Sequence, residues 1–205
     1  MKTWPDVARG KLDHPADDLL SELVRDVPPA EAARYATLLL YAGHVTTTTA
    51  IDKGVVLLDS HPAQRAAVRS DPALVPGAVE EILRFPLHPP RGGRPRRAKA
   101  GFAIGEHRVE PGDLVLLSAV AANLDEAAFP DAREFGVHRD ATGHLAFGDG
   151  PYDCLGAPPA RLDLQAVFTA LPRLVPDGHF AVPAEEPGLR ADAEHAAFAE
   201  LPLTW

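Results

Sequence analysis

The sequence is poor in sulfur and in aromatic residues, and it has no long apolar run. Its 205 residues include one cysteine and one methionine, and aromatic residues make up 6%. A single cysteine excludes an internal disulfide and a zinc cluster built on cysteines, and it indicates a reducing compartment such as the cytoplasm. No stretch reaches the length of a membrane span, and the N-terminus lacks the apolar core of a signal peptide.

Positive charge is also scarce. The chain has 20 Lys and Arg against 29 Asp and Glu, a formal net charge of -9, which excludes nucleic acid as an expected partner. Hydrophobic residues nevertheless make up 46%, which is typical of a folded domain. Proline is abundant, with 21 residues, so we expect short elements outside a few long helices.

The apolar pattern predicts a mainly α fold with small β hairpins. A short helix is predicted over 17–25, and a long helix over 29–60 that is apolar nearly all round and therefore buried. Gly43 and four successive threonines, 46–49, are poor helix formers in the middle of that helix, so something must compensate for them. The other predicted elements are helices over 61–69, 71–85 and 160–174, strands beside turns at 105–106 and 111–112, a loop or extended segment over 88–100, and a hairpin in the tail.

The cysteine lies in a glycine-rich loop that leads into the last predicted helix. Phe147, Gly148 and Gly150 precede Cys154, and Gly156 follows it. Such glycines permit a tight turn and the close approach of a flat ligand, and a helix N-terminus favours a thiolate. A lone buried cysteine is usually inert packing, so this frame indicates a metal ligand instead.

Four motifs resemble those of the bacterial cytochromes P450, in the same order. "FGDGPYDCLGAPPAR" (147–161) is similar to the family's haem-binding loop, and "AGHVTT" (42–47) to its A-G-x-E/D-T-T. Glu81 and Arg84, which alone would indicate an ordinary surface ion pair, match E-x-x-R, and Arg96 matches an arginine that reaches a haem propionate. The chain is identified as a member of this family that corresponds to its carboxy-terminal half.

The resemblance implies a cofactor, haem b, and a set of roles. Cys154 would be the axial thiolate on iron, Phe147 would lie against the haem, and Arg96 would pair with a propionate. Glu81 and Arg84 would be structural and would fasten the loop after "FPDAREF" (129–135). The other cofactor-binding residues that it implies are Gly43, Gly148, Gly150, Tyr152 and Gly156.

Two residues of the long helix are candidates for catalysis. The resemblance implies that Gly43 and Thr46 locally open the helix and leave room for dioxygen. His44 could act as an acid or base if haem were absent, although the family often has histidine there, which favours a structural role.

The chain departs from the family first in length, since members are roughly twice as long. With Met1 at its start, we expect a naturally truncated single domain, 1–205. Its parts are remnant helices over 1–28, the distal helix over 29–60, the E-x-x-R helix over 71–85, and the cysteine loop with its following helix over 144–174.

Four residues mark the further departures. Val45 replaces an acid that carries protons into the distal pocket, and valine cannot relay a proton. Tyr152 replaces a histidine or arginine, and it can donate a hydrogen bond but carries no charge. Asp149 and Asp153 add negative charge beside a thiolate and two propionates, which opposes haem binding unless both point to solvent.

Three functions therefore remain open. The chain could be a haem-thiolate tailoring protein of secondary metabolism with altered or reduced oxygenase activity. It could be a haem-free enzyme recruited for a cyclisation or isomerisation, or a non-catalytic partner that stabilises another biosynthetic enzyme. We expect a small natural-product substrate, and a homodimer or hetero-complex that covers the apolar long helix where the missing half would lie.

Overall fold

A computed structural model describes residues 3–87, 93–175, 178–180 and 201–204. The chain forms two compact units, Met1–Thr49 and Ala50–Trp205. In the described residues no helix is long and apolar enough to span a bilayer. The predicted loop over 88–92 and most of the predicted tail hairpin, 181–200, lie outside the described residues.

The first unit is helical. It contains α1 (Trp4–Asp13), α2 (Leu19–Asp26) and the first part of α3 (Pro29–Ser60). The helix predicted over 17–25 begins two residues later because the Asp18 side chain accepts a hydrogen bond from the Ser21 amide, 2.8 Å away, and so caps α2. A small apolar core joins α1 and α2 to the first turn of α3: Ala8, Val24, Ala32 and Ala33.

The second unit is built on the end of α3 and three further helices. These are α4 (Pro62–Ser70), α5 (Val75–Arg84), which follows a 3₁₀ turn (Pro72–Leu74), and α7 (Ala157–Leu174). α3 and α7 pack closely at Gly54, where a Cβ atom would lie 2.2 Å from the Phe168 ring. The fully buried side chains of this core include Val79, Ile82, Leu164 and Phe168.

The strands form three antiparallel pairs. β1 (Arg94–Arg97) pairs with β4 (Leu114–Leu117), and β2 (Phe102–Ile104) pairs with β3 (His107–Val109). In the tail, β5 (His179–Phe180) pairs with β6 (Leu203–Thr204). The predicted turns hold Gly105 and Gly112 at positive φ, 56° and 95°, which is backbone that favours glycine.

The segment between β4 and α7 is mostly irregular, as the sequence predicts. It begins with the short α6 (Ala119–Asn123) and continues through turns as far as Gly156. This segment carries the cysteine loop, and it is fixed by side chains of α5 and α7 that the next subsection describes.

Candidate functional site

The cysteine loop is shaped by two glycines and one backbone hydrogen bond. Gly148 and Gly150 have φ of 82° and 83°, a conformation in which any other residue is strained. The Cys154 amide donates to the Phe147 carbonyl at 2.9 Å, and this bond closes the loop on itself. Gly156 then caps α7, so the thiol lies at the N-terminal end of that helix.

The thiol opens onto an exposed surface. Cys154 is a free, exposed cysteine. Its two large neighbours, Tyr152 and Leu155, are 94% and 84% exposed. An apolar side chain so exposed beside a nucleophilic sulfur marks a face that a ligand could cover. Asp149 and Asp153 are exposed as well, so water screens their charge.

Both ends of this loop are held by one carboxylate, that of Glu80 on α5. Arg161 on α7 donates through Nε to Glu80 Oε1 at 2.7 Å and through Nη2 to Oε2 at 2.9 Å. His144, before the loop, contacts Oε2 through Nε2 at 3.1 Å. Between them lies the Phe147 ring, 4.7 Å from the Arg161 guanidinium and 5.8 Å from the His144 ring.

Hydrogen bonds and burial determine the tautomer of His144 and shift the pKa of His144 and of Glu80. The Ala146 amide donates to Nδ1 of His144 at 3.1 Å, so Nδ1 is an acceptor and the proton of the neutral ring is on Nε2, facing Glu80. Burial lowers the pKa of His144, although the Glu80 carboxylate opposes it. Burial alone would raise the pKa of Glu80, but Arg161 and His144 together bring it below its ordinary value.

Glu81 and Arg84 form a fully buried ion pair rather than the surface pair that their spacing alone suggests. Both side chains are 0% exposed, and Arg84 donates through Nε and Nη2 at 2.7 and 2.9 Å. Arg84 Nη1 also donates to the carbonyls of Asn123 and Ala132, at 2.6 and 2.9 Å, and Glu81 accepts from the Gly136 amide at 3.0 Å. The pair thus ties α5 to the irregular segment.

Arg96 lies on β1, opposite Val115, with an exposed side chain. Among the described residues its guanidinium bonds to the neighbouring Pro95 carbonyl at 2.9 Å. Its charge is therefore accessible to an anionic group from outside the chain.

The candidates on the long helix belong to the first unit. Thr46 donates to the Ala42 carbonyl at 2.6 Å, and Thr48 donates to the His44 carbonyl at 2.8 Å. These bonds to the preceding turn give the threonine hydroxyls a partner within the helix. Gly43 and His44 are exposed, and a Cβ on Gly43 would meet nothing within 4 Å. α3 is assigned as one helix through these residues, and the expectation that Gly43 and Thr46 locally open it and leave room for dioxygen stays a prediction.

Sequence reasoning missed Glu80, His144 and Arg161 as a group. Two signals were present: Glu80 directly precedes the E-x-x-R glutamate, and Arg161 ends the motif of the cysteine loop. Neither signal names the partner, because the bonded residues are 64 and 81 positions apart.

Comparison with known sequences identifies the family to which this chain belongs. The sequence model of the family "Cytochrome P450" matches residues 25–173. The chain is 39% identical over 201 residues to Cytochrome P450-SU2 of Streptomyces griseolus, covering 97% of this chain and 50% of that protein. It is 44% identical over 204 residues to Cytochrome P450 105C1 of a Streptomyces species, covering 97% and 53%. The chain belongs to the cytochrome P450 family.

Solved structures agree with this assignment. A variant of the mixed-function P450 MycG in complex with mycinamicin IV matches 98% of this chain with a TM-score of 0.90 and 34% identity. Cytochrome P450 MoxA from Nonomuraea recticatena matches 98% with a TM-score of 0.89 and 39% identity. The match covers 53% and 51% of those chains, so this chain spans about half the length of its relatives. The predicted fold class, mainly helical with small hairpins and half of the family's fold, is confirmed.

The family implies haem, and the residues of the cysteine loop fit it. The loop offers one accessible thiol, an exposed apolar side chain at Leu155, and glycines that leave backbone without side chains. Arg96 offers an accessible cation for a propionate. In the described residues no group of three or more His, Cys, Asp or Glu is placed to hold a metal ion.

Proposed function

We propose that this chain is the haem-thiolate half of a tailoring cytochrome P450 of secondary metabolism. The observation that carries the proposal is the exposed thiol of Cys154, closed in a loop by Gly148, Gly150 and the bond to the Phe147 carbonyl. Cys154 would hold the iron, and Arg96 would pair with a propionate. Bound haem would supply the one-electron and dioxygen chemistry that the side chains of the chain lack.

The names of relatives support a natural-product substrate. One is Pentalenolactone synthase of Streptomyces exfoliatus, and one solved structure is PimD, a polyene macrolide antibiotic pimaricin epoxidase. The chain is 38% and 35% identical to them and covers 52% and 50% of their lengths. A small, largely apolar natural product is therefore the substrate class that we propose.

We propose further that the oxygenase chemistry is altered or reduced. Val45 has no group that can take up or release a proton, so the chain lacks the acid that the family motif places beside Thr46. Each unit also has exposed apolar side chains that a substrate or further polypeptide would cover: Leu38, Leu40 and Tyr41 in the first unit, and Leu114, Leu116 and Leu117 in the second.

A haem titration of the purified chain tests the proposal. A reduced, carbon monoxide-bound sample should show the absorption band of thiolate-ligated haem, and Cys154→Ala should remove that band. Arg69→Ala, far along the chain from the loop, is the matched control and should keep it. If titration with the unmodified chain yields only the spectrum of free haem, the haem-free alternatives, an isomerase-type enzyme or an accessory protein, replace this proposal.

A further inference from the structure

The cysteine loop, 145–156, has charged partners at its two ends, and one of them, the Arg161 guanidinium, also lies 4.7 Å from the Phe147 ring within the loop. His144 precedes the loop, Arg161 follows it on the second turn of α7, and both bond to the one carboxylate of Glu80. We infer that Glu80 is a positioning residue that closes the cysteine loop at both ends and thereby fixes Cys154 on its exposed face.

The two oxygens of the Glu80 carboxylate bind different sets of partners. Oε1 receives Arg161 alone, and Oε2 receives both Arg161 and His144. The bidentate pair with arginine fixes angle as well as distance, and bonds to a charged acceptor are about twice as strong as neutral ones. Glu80 is 21% exposed and His144 only 1%, so water competes weakly for the bond between them, whereas Arg161 is 37% exposed and its bonds are more open to water.

The path from Glu80 to Cys154 is continuous. The Phe147 ring packs between Arg161 and His144, so its position depends on both partners of Glu80. The Phe147 carbonyl in turn accepts the Cys154 amide. If the bonds of Glu80 to Arg161 and His144 are lost, the guanidinium and the imidazole no longer hold the Phe147 ring in place. The Phe147 carbonyl is then also less well fixed as the acceptor of the Cys154 amide.

Hydrogen exchange of the haem-free chain tests this inference without using haem. Glu80→Gln keeps the size of the side chain but removes its charge, so amides of 145–156 should exchange about tenfold faster or more. Glu22→Gln is the matched control, because Glu22 forms an exposed ion pair with Arg25 on α2, at 2.6 Å. Faster exchange across α3, α5 and α7 to the same degree as in the loop would mean general destabilisation, and it would overturn the inference.

A second variant guards against misfolding of the first. Arg161→Lys keeps the charge but loses the planar pair of donors, and Arg161 is 37% exposed, so the fold should tolerate it. Its loop amides should exchange faster than in the unmodified chain and slower than in Glu80→Gln. Unchanged exchange in both variants would refute the positioning role.

A spectroscopic readout then connects the loop to haem, and it rests on the proposed function. With haem bound, Glu80→Gln should shift part of the carbon monoxide spectrum from the thiolate-ligated band to the band of the neutral thiol. If the unmodified chain binds no haem but the exchange result holds, the proposed function fails and the positioning role stands. If haem binds and neither exchange nor spectrum changes, the positioning role fails alone.

Discussion

At the scale of single residues, the site depends on a few positions whose chemistry no neighbour can replace. The one thiol of the chain, Cys154, is exposed, and Gly148 and Gly150 adopt a backbone conformation that other residues reach only with strain. Val45 differs from these residues because it stands where the family motif has an acid, so a carboxylate is missing at this position. Its side chain is partly buried in the run of residues that precedes the threonines.

A carboxylate at position 45 should improve coupling if the chain holds haem. A general acid typically contributes about 10² to 10⁴ in rate, so Val45→Glu should direct more reducing equivalents into product and fewer into hydrogen peroxide. The ratio of peroxide formed to reductant consumed, with a surrogate electron donor, measures this. Val45→Gln has the same size without the acid and serves as the control. Efficient coupling in the unmodified chain would contradict the expectation.

At the scale of elements, buried charge decides how the helices and the irregular segment fit together. Residues 124–139 have no helix or strand to hold their backbone. The Arg84 guanidinium and the Glu81 carboxylate hold it instead, because they bond to the carbonyls of Asn123 and Ala132 and to the amide of Gly136. Lys53 on α3 has a similar role, since its ammonium donates to the Leu83 carbonyl at the end of α5, 3.2 Å away.

Removing Arg84 should be strongly destabilising. Arg84→Met removes the bidentate partner of the buried Glu81 carboxylate and leaves it the Arg139 guanidinium, whose Nε is 3.3 Å away; removing one partner of a buried ion pair typically costs about 3–5 kcal/mol. The free energy of unfolding in urea, followed by circular dichroism, gives the cost. Arg25→Met is the control, because it breaks an exposed pair with Glu22 whose expected contribution is about 0–1 kcal/mol. Equal losses in the two variants would show that burial of the pair has no energetic consequence.

The stability of the second unit should increase in alkaline solution because of Lys53. Burial lowers the pKa of Lys53 from 10.5 to about 8, although the Glu81 carboxylate opposes this shift. Between these values the unfolded chain binds more protons than the folded chain, so the free energy of unfolding rises with pH, by about 1–3 kcal/mol from this group. Below pH 8 both states hold the proton and the slope disappears.

Lys53→Met should remove this slope, whereas Lys99→Met, which replaces an exposed lysine, should keep it. Urea unfolding at several pH values between 7 and 10.5 supplies the comparison. The same slope in the unmodified chain and in Lys53→Met would assign the effect to another group.

The sequence predicts most of these elements but few of the contacts between them. α3 follows from a long helical segment that is apolar nearly all round, and the cysteine loop follows from its glycines, because both signals are local. The periodicity of α7 predicts an apolar stripe that includes Leu162, Leu164 and Phe168, but Leu162 is 66% exposed, and the buried positions are Leu164 and Phe168. Which stripe is buried depends on where α7 meets Gly54 of α3. Local periodicity carries no information about that contact, nor does it predict that His144 and Arg161 both bond to Glu80.

At the scale of the whole molecule, each of the two units exposes large apolar side chains in the residues that the structure describes. Leu38, Leu40 and Tyr41 on α3 are 61%, 57% and 59% exposed, and Leu114 on β4 is 62% exposed. The core that α1 and α2 form reaches only Ala32 and Ala33 on α3. In relatives that are about twice as long, further polypeptide is available to cover such surface.

We therefore expect the isolated chain to self-associate, with a homodimer through the exposed part of α3 as the simplest arrangement. Burial of apolar surface is worth roughly 25 cal/mol per Å², so even a modest interface would add noticeably to a domain stable by about 5–15 kcal/mol. Light scattering at micromolar concentration should give a mass near twice the 21.9 kDa of one chain, and the melting temperature should rise with concentration. Leu40→Glu should return the mass to that of one chain, whereas Leu162→Glu, on the exposed side of α7, should leave the dimer intact. A monomer with a concentration-independent melt would contradict the expectation, and it would leave a different polypeptide as the partner of this face.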